Sequence, residues 1–238
     1  THYPENIEIA RTITEQEAKR DGRSEEQVYV PSLAKDLLEQ ISFEARESEY
    51  IDVKSGVSAR MSITAFENLL STAERRSLMA GDDKTTVRLG DFMGMIPAIT
   101  GKVELVYEGE QEGAASVAHT LIGDAIQTLF VTYFPEIKKL EKQNEKSPYD
   151  EVVTWFFDQS DFQLLDDLTE EEYKKMLDSV TPLQNLIDTH QPDLPKEDQY
   201  FMKEFILWAL VEFKKLSKYR MTDGMRFKDL YGSYISGL

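Results

Sequence analysis

Apolar residues recur along most of the chain at the three- and four-residue spacing of amphipathic helices. The clearest case lies between residues 54 and 76, where every fourth position is apolar: Met61, Ala65, Leu69 and Ala73. This periodicity predicts a helix that packs one face on a core. Gly56 indicates a turn with a positive φ before that helix, and Ser58 can act as its N-cap.

The same spacing predicts further helices in both halves of the chain. In the first hundred residues they run from Thr1 to Asp21, with the helix beginning near Pro4, from about Ser32 to Glu47, and over a short stretch that Pro97 stops. In the second half they cover Ala114–Tyr133, which has a broad apolar face, Thr169 to about Ser179, a short segment from Pro182, and Lys196–Lys218, which is apolar on nearly every side. We therefore expect Trp208 to lie in the core, against Trp155 or its aromatic neighbours. We therefore expect a mainly α protein, with a helical bundle over residues 1–100 and a helical extension over residues 101–238.

Two stretches fit this helical pattern less simply. Gly101 to Tyr107 is rich in strand-forming residues, and a single strand must pair in a hairpin or against another segment to be stable, so we expect at most one short β-hairpin in the protein. The end of the chain has apolar residues at helical spacing and is rich in aromatic side chains, so we expect it to dock rather than to stay free. The residues concerned are Phe227, Leu230, Tyr231, Tyr234 and Ile235.

Arg60 has two interpretations on spacing alone. It falls in the first turn of the helix that follows Gly56, where free backbone N–H groups and the positive end of the helix dipole attract anions such as phosphate. However, the chain has 44 acidic and 27 basic residues, and an exposed arginine in such a chain most often forms a weak surface ion pair.

The segment SGVSARMSITAFENLLSTAERR, at residues 55–76, resembles the sensor-2 segment of AAA+ ATPases of the magnesium chelatase and MoxR type. The similarity extends to THYPENIEIARTITEQEA at 1–18 and ITGKVELVYEGE at 99–110. The resemblance implies that residues 1–100 are the helical lid that follows a nucleotide-binding core. It also implies that Arg60 is the sensor-2 arginine that reaches the γ-phosphate of ATP. Gly56 and Val57 would shape the approach to the nucleotide, and Ser58 would orient the helix.

The chain lacks the residues with which an ATPase binds phosphate and magnesium. The closest match to GxxxxGK[ST] is Gly101-Lys102-Val103, where valine replaces the hydroxyl residue and Ile96 replaces the first glycine. We therefore assign no catalytic residue and expect the chain alone to be inactive. The resemblance implies that the AAA+ core of the parent ATP hydrolase precedes Thr1, and that ATP and Mg²⁺ bind in that full-length parent.

Composition excludes several other classes of function. The net charge is −17, so we expect no nucleic-acid partner, and we interpret the basic pairs as solvated helix faces: Arg75-Arg76, Lys138-Lys139 and Lys214-Lys215. No cysteine is present, which excludes thiolate metal sites. No apolar run approaches the ~20 residues of a membrane helix. We therefore expect a cytoplasmic protein.

Isolated histidines and acidic runs do not predict a metal site. His2 has no His or Cys nearby in sequence, His119 belongs to no recognisable serine–histidine–acid order, and His190 is most simply a loop residue near Pro192. The acidic groups Asp166-Asp167 and Glu170-Glu171-Glu172 could attract a divalent cation, but the negative charge expected at the start of a helix explains them better. Thr169 and Glu172 have the spacing of a capping box at that start.

Two functions remain open on these observations. In the first, the lid senses nucleotide state and transmits ATP-driven motion to neighbouring subunits of a ring and to an unknown protein target, which is remodelled or metallated. In the second, the chain is a free-standing acidic helical interaction module with no nucleotide role. The sequence that precedes Thr1 would separate them.

Overall fold

The computed structural model of the chain describes residues 3–19, 26–52, 54, 56–137, 147–158 and 162–230. These residues are mainly α-helical, which confirms the predicted fold class. They fall into two compact units. The first comprises Thr1–Leu78 with Asp83–Ala125, and the second comprises Met79–Asp82 with Ile126–Leu238. The assignment of a family lid to 1–100 and an extension to 101–238 stays a prediction.

Three long helices dominate the first unit: α1 (Ile7–Glu17), α2 (Ser32–Glu47) and α3 (Ala59–Ala80). Its shorter elements are β1 (Val28–Tyr29), β2 (Thr85–Thr86), a 3-10 helix (Leu89–Met95), α4 (Ile96–Thr100) and α5 (Tyr107–Glu112). β1 and β2 pair in parallel, with Val28 opposite Thr85 and Tyr29 opposite Thr86. Next, α6 (Ala114–Tyr133) crosses the boundary between the two units.

The core of the first unit contains the apolar stripes that the spacing predicted. On α3, Met61, Ala65, Leu69 and Ala73 are all buried, and on α2 the buried set is Leu33, Leu37, Leu38, Ile41 and Ala45. The start of α1 differs from the prediction. The helix begins at Ile7 rather than near Pro4, because the side chain of Asn6 accepts a hydrogen bond from the N–H of Ile9 at 2.9 Å.

The strand predicted over Gly101–Tyr107 is wrong. Residues 101 and 102 form a turn, Leu105 makes one isolated antiparallel bridge with Ile51, and α5 begins at Tyr107. Most of the side chains in this stretch stay partly or fully exposed, so a longer strand would bury little apolar surface. The local preference of these residues for a strand is therefore outweighed by the formation of helix α5, which follows.

The second unit combines helices with a small sheet. Its elements are α7 (Asp150–Asp158), β3 (Phe162–Leu165), α8 (Glu170–Ser179), α9 (Thr181–His190), a 3-10 helix (Lys196–Asp198), α10 (Gln199–Glu212), β4 (Leu216–Met221) and β5 (Gly224–Asp229). The three strands are antiparallel in the order β3-β5-β4. Helix α10 is the centre of this unit, since every residue from Phe201 to Leu210 is buried.

The helix predicted from Lys196 to Lys218 ends earlier than expected. Lys214 adopts a left-handed backbone with φ 58°, and the N–H of Lys215 donates to the carbonyl of Leu210 at 2.7 Å. These bonds form a Schellman termination, after which the chain enters β4. Phe227 lies in β5 rather than in a helix, and Tyr231, Tyr234 and Ile235 lie outside the described residues.

Helix α6 is long and apolar enough to cross a membrane by those two criteria, although no such run was expected from the sequence. Its mean hydropathy over the qualifying window is 1.2, and 50% of that window is buried inside the protein. The core helix of a soluble protein passes the same test. The burial of Leu121, Ile122, Ala125 and Ile126 agrees with the broad core face predicted for this helix.

Candidate functional site

The segment before α3 has the turn that the sequence predicted. Gly56 has φ +70°, a conformation that costs a residue with a side chain more than it costs glycine. A Cβ atom at this position would also lie 2.5 Å from the hydroxyl oxygen of Tyr3. Both the backbone conformation and the close approach of Tyr3 therefore favour glycine at position 56.

Val57 and Ser58 link this turn to the first turn of α3. Val57 is buried, and its carbonyl accepts a hydrogen bond from Nε of Arg46 at 3.3 Å. Ser58 is exposed, and its carbonyl accepts the N–H of Met61 at 2.9 Å, which closes the first turn of the helix. The capping role of the Ser58 hydroxyl stays a prediction.

Arg60 is exposed in the first turn of α3, as its spacing predicted. Within the described residues its side chain makes no hydrogen bond or ion pair, so the surface ion pair considered from the sequence is not formed with any of them. Arg60 therefore belongs to the same first turn as the N–H groups at the start of α3, a combination that suits an anion.

Arg46 is the residue of this site that sequence reasoning missed. It lies in the last turn of α2, and Nη2 donates to Oγ of Ser42 at 3.0 Å. Its guanidinium carbon lies 4.7 Å from the ring centroid of Tyr3 and 4.9 Å from that of Phe43. Burial lowers the pKa of Arg46 below its ordinary value. An arginine remains charged at neutral pH even so.

The contacts of Arg46 tie the turn before α3 to the end of α2. One guanidinium reaches the carbonyl of Val57 and lies against the ring of Tyr3, whose hydroxyl in turn crowds Gly56. A basic residue in the last turn of a helix is a familiar partner of the helix dipole. The position of Arg46 in the last turn of α2 was the signal available in the sequence. That position does not reveal a hydrogen bond to the carbonyl of Val57, eleven residues further along the chain.

A second polar group lies between α1 and α2. Glu39 is 2% exposed, and its Oε1 accepts a hydrogen bond from Oγ1 of Thr14 at 2.6 Å. Burial raises the pKa of Glu39, while the bond from Thr14 and the charges of Arg46 and Arg11 oppose that rise. The surface recess that adjoins this pair is small, and the bond between Thr14 and Glu39 joins α1 to α2, so we assign the pair a structural role.

The other candidates from the sequence stay apart from one another. His119 is exposed on α6, His190 ends α9 beside the ring of Phe134, and His2 lies outside the described residues. Across the described ranges, no group of three or more His, Cys, Asp or Glu side chains could hold a metal ion. The capping box is confirmed, since Oγ1 of Thr169 accepts the N–H of Glu172 and Oε2 of Glu172 accepts the N–H of Thr169. Those bonds from Thr169 lower the pKa of Glu172.

Comparison with known proteins identifies no relative: no family model matches the chain, and neither the curated proteins nor the solved structures contain a significant match.

Proposed function

We propose that this chain is the C-terminal part of an AAA+ ATPase of the magnesium chelatase or MoxR type, in which Arg60 contacts the γ-phosphate of ATP. One observation carries the proposal. Arg60 is exposed in the first turn of a 22-residue helix, directly after a glycine turn with positive φ. That is the arrangement the sensor-2 resemblance requires of residues 55–76.

The contribution of the chain would be to sense the nucleotide and transmit motion. ATP and Mg²⁺ would be held chiefly by the N-terminal AAA+ core of the same parent. The buried stripe of α3 joins Arg60 to the core of the first unit, so a pull on the arginine would move the helix together with its neighbours. Neighbouring ring subunits and a protein target in the cytoplasm would receive that motion.

Substitution of Arg60 in the full-length parent tests this proposal. Arg60→Ala removes a charged hydrogen bond worth about 1.5–3 kcal/mol, so we expect ATP turnover to fall by about ten- to a hundredfold. Arg75→Ala is the matched control, because it removes another exposed arginine from the same helix about four turns away. If the ATP turnover of Arg60→Ala equals that of the unmutated parent, the assignment of Arg60 as the γ-phosphate contact is wrong.

The isolated chain offers an independent test. One arginine and one helix start cannot enclose a nucleotide as a complete site does, so we expect negligible ATPase activity and at most very weak ATP binding. Calorimetric titration with ATP and Mg²⁺ checks this. Micromolar affinity in the isolated chain would show that a further nucleotide-binding feature exists.

A free-standing interaction module is the second candidate function. The observation that favours it is the exposure of large aromatic side chains, Tyr107 and Phe157, on a chain of net charge −17. In that case Arg60→Ala and Arg75→Ala would be equivalent in every assay of the chain.

A further inference from the structure

The end of the described chain carries a positive charge in a protein that is otherwise strongly acidic. Residues 214–229, which we call the basic ribbon, include β4, β5 and the turn before them. The basic ribbon contains four lysines, two arginines and two aspartates, a net charge of +4, whereas the whole chain carries −17. The rest of the chain has 42 acidic and 21 basic residues.

The antiparallel register decides which of these side chains share a face of the ribbon. Tyr219 lies opposite Arg226, and Ser217 lies opposite Lys228, so these four project from one face. Lys218 projects from the other face, where its Nζ lies 3.9 Å from the ring centroid of Trp208. The first face, which we call the outer face, therefore combines a tyrosine with an arginine and a lysine.

Tyr219 makes the outer face of the ribbon accessible. It is 43% exposed, and Arg226 and Lys228 are half-buried on the same face. Arg220 is exposed near the turn between the strands, but it projects from the other face. Tyrosine and arginine are the residue types most often found at the energetic centres of protein interfaces. A basic surface with an accessible aromatic side chain is therefore suited to bind an acidic protein segment.

The chain itself contains a segment of complementary charge. Residues 104–112, which we call the acidic segment, hold four glutamates, and no lysine or arginine occurs from residue 103 to 137. All four are exposed: Glu104, Glu108, Glu110 and Glu112. Tyr107, at the start of α5, is 68% exposed. The acidic segment thus combines negative charge with an accessible aromatic ring, and the basic ribbon combines positive charge with Tyr219.

We propose that the basic ribbon of one copy of this chain binds the acidic segment of a second copy. Charge complementarity supplies long-range attraction, and the two tyrosines supply the apolar contact. Because the two surfaces differ, the contact is heterologous, so each copy can bind one neighbour through its ribbon and another through its acidic segment.

The extent of the ribbon favours a short acidic segment over a nucleic acid. A duplex carries one negative charge about every 1.7 Å along its axis, so beyond the ribbon it would meet the acidic residues of the rest of the chain. A second copy also carries a net charge of −17, so its attraction is confined to the acidic segment. A nine-residue acidic segment brings only a local charge, within reach of a ribbon two strands wide. Basic residues on edge strand β4 also oppose pairing with a further strand, so the partner is expected to contact side chains rather than extend the sheet.

Charge reversal tests the contact from both sides. Self-association of the 238-residue chain is measured by sedimentation velocity over a concentration series, from about 0.05 M to about 0.5 M salt. We expect Arg226→Glu with Lys228→Glu, both on the outer face, to raise the dissociation constant at least about tenfold, and Glu108→Lys with Glu110→Lys to do the same. Both effects should shrink as salt rises.

Matched controls separate this contact from general changes in net charge. Lys84→Glu with Lys102→Glu alters net charge as the ribbon variant does, at exposed sites outside it. Asp193→Lys with Glu197→Lys does the same for the acidic variant. A change in net charge alone should alter association only weakly, so we expect the dissociation constants of both controls to stay within about twofold of that of the unmutated chain. Combining the two test pairs in one chain makes the surfaces complementary again, and should restore association.

Several results would overturn the proposal. One is a chain that stays monomeric at every salt and protein concentration. Another is a combined variant that associates no more tightly than either charge-reversal variant alone. A third is a monomeric chain whose ribbon variant loses binding to a fluorescent single-stranded oligonucleotide, which would assign the ribbon to nucleic acid. Far-UV circular dichroism checks that each variant folds. If the ribbon variant does not fold, the acidic-segment variant still tests the contact. Arg60→Ala should associate like the unmutated chain, so this inference and the nucleotide role fail separately.

Discussion

Arg76 and Asp91 form a buried ion pair with two parallel hydrogen bonds. Nε donates to Oδ1 and Nη2 to Oδ2, both at 2.9 Å, and the side chains are 6% and 3% exposed. Arg76 also reaches Oγ1 of Thr85 at 3.1 Å and the carbonyl of Thr86 at 2.8 Å. The pair therefore joins α3 to β2 and to the 3-10 helix that follows. The sequence-based interpretation of Arg75-Arg76 as a solvated face is wrong for Arg76.

Removing the charge of Asp91 should destabilise the first unit strongly. Asp91→Asn keeps the size of the side chain but leaves the buried guanidinium without its counter-charge, a loss typically worth about 3–5 kcal/mol. Denaturant unfolding followed by circular dichroism measures the change. Glu15→Gln is the control, since Glu15 is 43% exposed and Lys35 is 26% exposed, so their ion pair lies at the surface and should contribute less than about 1 kcal/mol. Equal unfolding midpoints for the two variants would contradict the role given to Asp91.

Glu39 should make the stability of the first unit depend on pH. Burial raises its pKa above the usual 4.5, so the folded state favours the neutral carboxyl. The resulting stabilisation is fully present below about pH 4.5 and is lost as the pH rises through the raised pKa. Glu39→Gln cannot ionise and can still accept the bond from Thr14. We therefore expect its free energy of unfolding, relative to that of the unmutated chain, to rise as the pH increases above about 4.5 and through the raised pKa of Glu39.

Thr14→Val provides the comparison for Glu39. It removes the hydrogen bond that opposes the rise in pKa but keeps the titrating carboxyl, so the dependence of stability on pH should persist or grow. A difference between Glu39→Gln and the unmutated chain that is constant with pH would rule out the titration of Glu39.

Lys214→Gly should stabilise the second unit. Lys214 holds the left-handed position of the Schellman termination of α10 at φ 58°, a conformation that costs a non-glycine residue about 1 kcal/mol. Part of the gain is offset by the greater freedom of glycine in the unfolded chain, so we expect a net gain of about 0.5–1 kcal/mol. Lys215→Gly, one residue on and without a positive φ, should destabilise instead. The same sign for both variants in thermal unfolding would be inconsistent with this explanation.

Trp208 should be a main contributor to the stability of the second unit. It is 1% exposed, as predicted for a core residue, and Nζ of Lys218 covers the face of its ring. The expected aromatic partner Trp155 packs edge-on against Phe156 and Phe162. Trp208→Ala should cost about 3–5 kcal/mol, and Trp208→Phe clearly less because the cavity is smaller. An unshifted denaturation midpoint for Trp208→Ala would show that the indole does not support the core.

The sequence alone was sufficient for features that depend on neighbours within one helical turn. The apolar stripe of α3, the positive φ of Gly56 and the capping box of Thr169 were all predicted and are all present. Each rests on spacing or on a local conformational preference, so the residues that decide it lie within a few positions of one another. The place of Arg60 in the first turn of a helix follows from the same kind of signal.

Only the tertiary structure decided which polar residues are buried and where strands pair. Arg76 and Arg75 look alike in the sequence, yet Arg76 is buried because Asp91, fifteen residues on, folds back onto it. Arg46 contacts the turn before α3 for the same kind of reason. The strand propensity of 101–107 produced one bridge, whereas β4 and β5 formed where a helix had been expected. Strand pairing and ion pairing are contacts between distant segments, so their free energy depends on a partner that local spacing cannot identify.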